Sequence, residues 1–132
     1  MNTEIITGPD QANPEDTAVA LINPPAAWLD VLAERQRQVS EENHLPDYDD
    51  QYHRGELPLA GAAYAYYAST SLRHAEAMRL KQRHEAPPFW PWSAHWWKPT
   101  MPRRMLVKAA ALILAEIERI DRAIARTQQE QP

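Results

Sequence analysis

The chain of 132 residues contains no cysteine. Disulfide bonds, thiol catalysis and cysteine-ligated zinc are therefore excluded. No stretch approaches the roughly 18 apolar residues of a membrane-spanning helix, and the N-terminus lacks the basic-then-apolar order of a secretory signal. Basic residues are outnumbered, 14 against 18 acidic, so general binding to nucleic acid is not expected. These absences favour a protein of the cytoplasm that enters no membrane.

The sequence also lacks the alternation of apolar and polar residues that marks β-strands, and it contains no internal repeat. Helical periodicity is present instead, and the length suits one domain. We predict an all-α fold, a compact bundle of three principal helices with a Trp/Pro-rich loop before the last one. Residues 1–22 are expected to form an N-terminal arm or tail, 23–127 a single helical domain, and 128–132 a C-terminal tail.

Three segments carry the helical signal. The first begins at Asn23, a capping residue followed by prolines, and is expected to run to about Asn43. The second begins near Glu56 and is rich in alanine, and a more polar stretch continues it to His84. A serine–threonine stretch at 69–71 either breaks or softens it. The third opens at Pro102 and has the strongest amphipathic period.

These periods predict which side chains are buried. The alanine-rich face of the second helix, residues 60–68, is a candidate contact of a homodimer, with packing inside the protomer as the alternative. The predicted core residues, taken from the apolar faces of the first and third helices, are Trp28, Leu32, Leu106, Ala109, Ile113, Ile117 and Ile120.

Four of the five tryptophans lie within eight residues, between prolines, in a segment that helix packing does not require. Basic residues follow at the start of the third helix, where free N–H groups and the helix dipole favour anions. Flat aromatic faces beside cations suit a stacked purine and its phosphate. Alternatively, the tryptophans fill the core and the basic residues are solvated. The predicted ligand-binding residues are Trp90, Trp92, Trp96, Trp97, Lys98, Arg103, Arg104 and Lys108.

Two charged residues fall on apolar helix faces. Arg35 lies among the apolar positions of the first helix, and Glu116 lies between Leu112 and Ile120 on the third. A buried charge is costly unless it is paired, so both are expected to find opposite charges. This is either an ion-pair network that fixes helix register or the polar wall of a pocket. The predicted members of this buried polar network are Arg35, Asp49, Asp50, Glu56 and Glu116.

The acidic residues also raise the possibility of a magnesium site, together with Asp47, and thus of an all-α nucleotide pyrophosphohydrolase. Such enzymes place acidic pairs three or four residues apart on facing helices. Here Glu41 and Glu42 are adjacent, and Glu116 and Glu118 project about 200° apart. The chain also lacks a Gly-x-Ser-x-Gly elbow. We therefore predict no metal, no cofactor and no catalytic residue, and leave open whether the protein is an enzyme.

Eight segments form a recognisable series along the chain: Glu34–Gln38, Asp49–Asp50, Gly55–Leu57, Ala62–Ala65, Trp90–Trp92, Trp96–Pro99, Leu106–Ala109 and Ala115–Arg122. Together they resemble a small family of accessory proteins that recurs in tailed phages and prophages. The resemblance runs from about Trp28 to Arg122. It implies an accessory gene product that works in a bacterial host cytoplasm, and it implies no particular activity.

Three functions follow from these features. The leading hypothesis is a binding protein that captures a small anionic ligand, such as a nucleotide, and in a phage setting sequesters a nucleotide immune signal of the host. The first alternative is a protein–protein interaction module anchored by the tryptophan loop. The second is the metal-dependent nucleotide pyrophosphohydrolase. We also expect a homo-oligomer.

Overall fold

A computed structural model describes residues 13–41, 46–73 and 85–130. The fold is all-α, as predicted, and no β-strand occurs within those ranges. None of the helices in the described part of the chain has the length and apolarity needed to cross a membrane. The α-helices are α1 (Pro14–Ile22), α2 (Ala26–Glu41), α3 (Pro46–Asp49), α4 (Glu56–Arg73) and α5 (Pro102–Glu130), and a one-turn 3-10 helix (Ala94–Trp96) precedes α5.

The long helix α5 is the centre of the fold, because α2, α3 and α4 all pack against it. Small residues let α4 approach most closely: a Cβ atom at Gly61 would lie 3.1 Å from the carbonyl oxygen of Ala109. Ala60, Ala63 and Ala68 are fully buried in the core. The alanine-rich face is therefore used inside the protomer and is not available as the dimer contact considered above.

Local chemistry explains where the helices begin. The Asn13 side chain accepts a hydrogen bond from the backbone N–H of Glu15 at 3.0 Å, which caps α1. Gly55 precedes α4 with φ of +81°, a conformation that disfavours residues with a Cβ. Pro102 occupies the first position of α5, where a missing N–H costs nothing.

The helix bounds differ from the prediction at two positions, and at a third the structure decides between two alternatives that the sequence leaves open. Asn23, expected to begin the first principal helix, instead ends α1, and its N–H bonds the carbonyl oxygen of Val19 at 2.8 Å. Helix α4 continues unbroken through residues 69–71, and its predicted extension over 74–84 lies outside the described residues. Helix α5 extends to Glu130, past the predicted boundary at 127.

The predicted core was mostly wrong. Ala109 is buried, but the other six residues of that prediction are 42–55% exposed. The reason is that α5 is apolar around most of its circumference, and the small residues of α4 bury a face next to the isoleucines. The buried face of α5 carries Met105, Ala109, Leu112 and Ala115, which pack with Leu57, Tyr64, Trp90 and Trp97.

Candidate functional site

A cavity of about 320 Å³ lies where α2, the α3 region (residues 46–52), α4, the tryptophan loop (residues 89–98) and α5 meet. Six of its thirteen lining residues are aromatic, and polar and charged groups lie among them. The lining residues are Glu34, Arg37, Gln38, Tyr48, Tyr52, Tyr64, Trp90, Trp92, Ser93, Trp96, Lys98, Lys108 and Leu112.

Tyr64 of α4 organises the tryptophan loop. Its ring stacks on Trp97 with centroids 4.7 Å apart and meets the edge of Trp90 at 5.6 Å. Its hydroxyl accepts a hydrogen bond from the backbone N–H of Lys98 at 3.1 Å. The indole N–H of Trp90 donates to the carbonyl oxygen of Ser93 at 3.1 Å, which closes the loop on itself. Trp90 and Trp97 are buried, whereas Trp96 is 59% exposed and lines the solvent side of the cavity.

The α3 region supplies two more aromatic side chains of the wall, Tyr48 and Tyr52. The Tyr52 ring lies 5.2 Å from the ring of Trp92 and 5.7 Å from that of Tyr48. Burial raises the pKa of Tyr52 well above its ordinary value, and the hydrogen bond with Tyr48 and the nearby carboxylates of Asp49 and Glu56 raise it further. A hydrogen bond raises the pKa of a phenol only when the phenol donates it, so the Tyr52 hydroxyl already donates to Tyr48.

Helix α2 places three polar residues on the cavity, Glu34, Arg37 and Gln38, at the three- and four-residue spacing that shares a helix face. The two oxygens of buried Glu34 each accept a hydrogen bond from the Arg37 guanidinium at 2.7 Å, and Arg104 of α5 pairs with the same carboxylate. Burial opposes ionisation of Glu34, but these two guanidinium groups outweigh it and lower the pKa of the carboxyl.

Gln38 is 2% exposed, and its amide is only partly satisfied. Its Nε2 lies 3.4 Å from Oε2 of Glu34. Its Oε1 has no hydrogen-bond partner among the described residues. A buried acceptor without a donor is costly in a folded protein, so this atom marks a place where a ligand group could supply the missing hydrogen bond.

Cations outnumber carboxylates on the cavity wall. Arg37, Lys98 and Lys108 line it together with a single carboxylate, Glu34, which already holds two guanidinium groups. The ammonium of Lys108 lies 2.8 Å from the carbonyl oxygen of Lys98 and 5.4 Å from the ring centroid of Tyr64. The cavity thus combines flat apolar faces with an excess of positive charge.

The structure brings five of the eight predicted ligand-binding residues to this cavity: Trp90, Trp92, Trp96, Lys98 and Lys108. The other three lie elsewhere. Trp97 is buried against Tyr64 in the core. Arg103 pairs with Asp30 of α2 at 2.8 Å on the surface, and Arg104 ties α5 to Glu34 without lining the cavity.

The predicted polar network divides into separate clusters. Buried Arg35 pairs with fully buried Asp49 at 3.2 Å and with Glu118 at 2.8 Å, as its inward position required. Asp50 pairs with Arg122 and Arg126 of α5, each of which has a guanidinium nitrogen 3.0 Å from an Asp50 oxygen. Burial opposes ionisation of Asp50, but these two arginines outweigh it and lower the pKa of the carboxyl.

Glu116 and Glu56 stand apart from these clusters. Glu116 pairs with Arg119 on its own helix, and Glu56 accepts a hydrogen bond from the backbone N–H of Arg54 at 2.7 Å. The carboxylates that join α2, α3 and α5 are those of Asp49, Asp50 and Glu118. No group of three potential metal ligands occurs among the residues that the structure describes.

Eight of the lining residues were not predicted as ligand-binding: Glu34, Arg37, Gln38, Tyr48, Tyr52, Tyr64, Ser93 and Leu112. The first three share one face of α2. Their polar and charged side chains, beside the face of Arg35, could have indicated from the sequence that this face of α2 is used. Nothing local to the tyrosines indicates that their rings meet the tryptophan loop.

No protein-family model, curated protein or solved structure matches the chain.

Proposed function

We propose that the protein binds a small anionic ligand with a flat ring, a nucleotide, in the aromatic cavity. The observation that carries this proposal is the combination of aromatic walls with three cations in one cavity. Its volume of about 320 Å³ is at the lower end of the roughly 300–1,000 Å³ of small-molecule sites. This size favours a single nucleotide over a polymer.

The parts of the ligand follow from the parts of the wall. The base stacks on the indole faces of Trp92 and Trp96, because every base offers a π-face to an aromatic side chain. The phosphate lies toward Lys98 and Lys108, whose ammonium groups are point charges suited to it. The Gln38 Oε1 provides an acceptor for the polar edge of the base.

In this proposal the ligand is held and released unchanged. Glu34 already serves Arg37 and Arg104, and the Ser93 hydroxyl accepts from the His95 N–H at 3.3 Å, so both groups have structural duties. The resemblance to phage and prophage accessory proteins supplies the setting. There, a protein that holds a nucleotide without consuming it would sequester a nucleotide signal of host immunity.

The experiment begins with purified protein that is denatured by heat, after which the released small molecules are identified by mass spectrometry. A panel of mononucleotides is then titrated calorimetrically into ligand-free protein in the presence of Mg²⁺. We expect saturable binding and recovery of the intact nucleotide. Turnover of the nucleotide would instead support the pyrophosphohydrolase. If heating releases no small molecule and no added mononucleotide binds, the proposal is contradicted.

A further inference from the structure

An exposed apolar stripe follows α5 along most of its length. It consists of Leu106, Ala110, Ile113, Ile117, Ile120 and Ile124, which recur at steps of four, three, four, three and four residues. This is the a/d pattern of a coiled-coil seam. The five large side chains are 42–51% exposed, over about 27 Å of helix.

Two other sides of α5 are occupied. Helix α4 packs beside the seam, where a Cβ at Gly61 would lie 3.3 Å from Cγ1 of Ile113. Helix α2 meets another side, through the pairs that Arg104 and Glu118 make with it. Since monomeric proteins rarely expose long contiguous apolar patches, a seam of isoleucines left open to solvent indicates a missing partner helix.

We infer that this seam pairs α5 with α5 of a second copy of the chain, in antiparallel orientation. A heptad seam is complementary to itself, because the side chains at a and d of one helix insert between those of an identical helix. Isoleucine at both a and d favours three or four strands in free helices. An antiparallel pair of identical helices closes with two copies, so we infer a dimer.

Charges beside the seam set the orientation. Arg103 and Asp121 are 18 residues apart, five complete turns, and therefore lie on the same flank of α5. Parallel pairing would put this flank of the two copies on opposite sides of the interface, so Arg103 of one copy and Asp121 of the other would not meet. Antiparallel pairing brings the two flanks together and places Arg103, which also pairs with Asp30 of its own chain, beside Asp121 of the partner subunit. In the matching register, Leu106 packs against Ile117 of the partner subunit.

Cysteine cross-linking tests this register without background, because the chain has no cysteine of its own. Leu106→Cys and Ile117→Cys are made as separate proteins, mixed, and oxidised. The mixture is expected to give a disulfide-linked dimer, whereas each variant alone is not, since identical positions would be about 16.5 Å apart along the axis. A disulfide-linked dimer of Leu106→Cys alone would overturn the antiparallel pairing. So would the absence of a disulfide-linked dimer from the mixture and from both single variants.

The mass in solution tests the dimer itself. We expect light scattering to give twice the protomer mass for the wild type and the protomer mass for Ile117→Lys. Ile117 is half exposed in the protomer, so helix content by circular dichroism should be unchanged. Ile22→Lys, at an exposed isoleucine of α1, is the matched control and should remain dimeric. A monomeric wild type, or a dimeric Ile117→Lys, would show that the seam does not join two copies.

Discussion

At the scale of single residues, Trp96 separates binding from folding most cleanly. It lines the cavity while remaining 59% exposed, so its removal should leave the core intact. We predict that Trp96→Ala weakens nucleotide binding by about 1–3 kcal/mol, the usual contribution of base–aromatic stacking, with unchanged helix content.

Trp28→Ala is the matched control for this change. Trp28 is 49% exposed on α2 and does not line the cavity, so calorimetric titration should give the wild-type affinity. Equal losses in the two variants would mean that the cavity is not the binding site.

Replacement of the buried Gln38 should change the stability of the protein and its affinity for ligand in opposite directions. Gln38→Leu removes an Oε1 that has no partner in the described structure, together with one long hydrogen bond to Glu34. Because an unsatisfied buried polar group costs about 1–3 kcal/mol, urea unfolding should show equal or greater stability. Ligand affinity should fall. A destabilised variant with unchanged affinity would assign Gln38 a purely structural role.

Glu34 predicts how stability depends on pH. Its folded-state pKa is lower than its ordinary value of 4.5, so the unfolded chain takes up the proton first on acidification. The stabilisation is therefore fully present above pH 4.5 and is lost as the pH falls through the folded-state pKa. Urea unfolding at a series of pH values measures this loss. Glu34→Gln should flatten the profile, and an unaltered acid profile in that variant would rule out this carboxyl as its source.

At the scale of elements, α3 depends on its ion pairs. A helix of four residues is not stable by itself, so its position rests on Asp49 with Arg35 and on Asp50 with the arginines of α5. Asp49→Asn should loosen α3 and displace the tyrosine wall. We predict faster amide exchange over residues 47–52 and weaker ligand binding.

Glu118→Gln is the control for Asp49→Asn. Glu118 also pairs with Arg35, but it belongs to α5 and is half exposed, so this change should leave exchange in α3 near the wild-type rate. Equal exchange in the two variants would show that the Asp49 pair does not hold α3.

Helix α5 shows which features of an element its own sequence can reveal. Its existence and its start at Pro102 followed from periodicity and helix-start chemistry. Its buried face did not, because Ile113 and Leu112 are adjacent and both neighbouring faces are apolar. Packing against α4 determines which face of α5 is buried, because Gly61 and the alanines of α4 permit close approach to Ala109 and its neighbours.

At the scale of the whole molecule, the tryptophan loop was identified but its two roles could not be separated. Trp97 belongs to the core because Tyr64, distant in sequence, offers its ring for stacking. Trp96, the next residue back along the chain, faces the cavity. The cavity itself requires five segments to meet, and only Arg35, with its inward charge, indicated in advance that α2 and the α3 region come together.

The cavity wall also links ligand binding to global stability, because its residues come from α2, the α3 region, α4, the loop and α5. A ligand that binds only the folded state stabilises it by about 2.7 kcal/mol at a hundredfold excess over Kd. We therefore predict that a saturating mononucleotide raises the melting temperature of the wild type in a calorimetric scan. Lowering the salt concentration should enlarge the rise, since charge contacts with Lys98 and Lys108 are then less screened. Trp96→Ala at the same ligand concentration should show a smaller rise, and an equal rise would place the bound nucleotide outside this cavity.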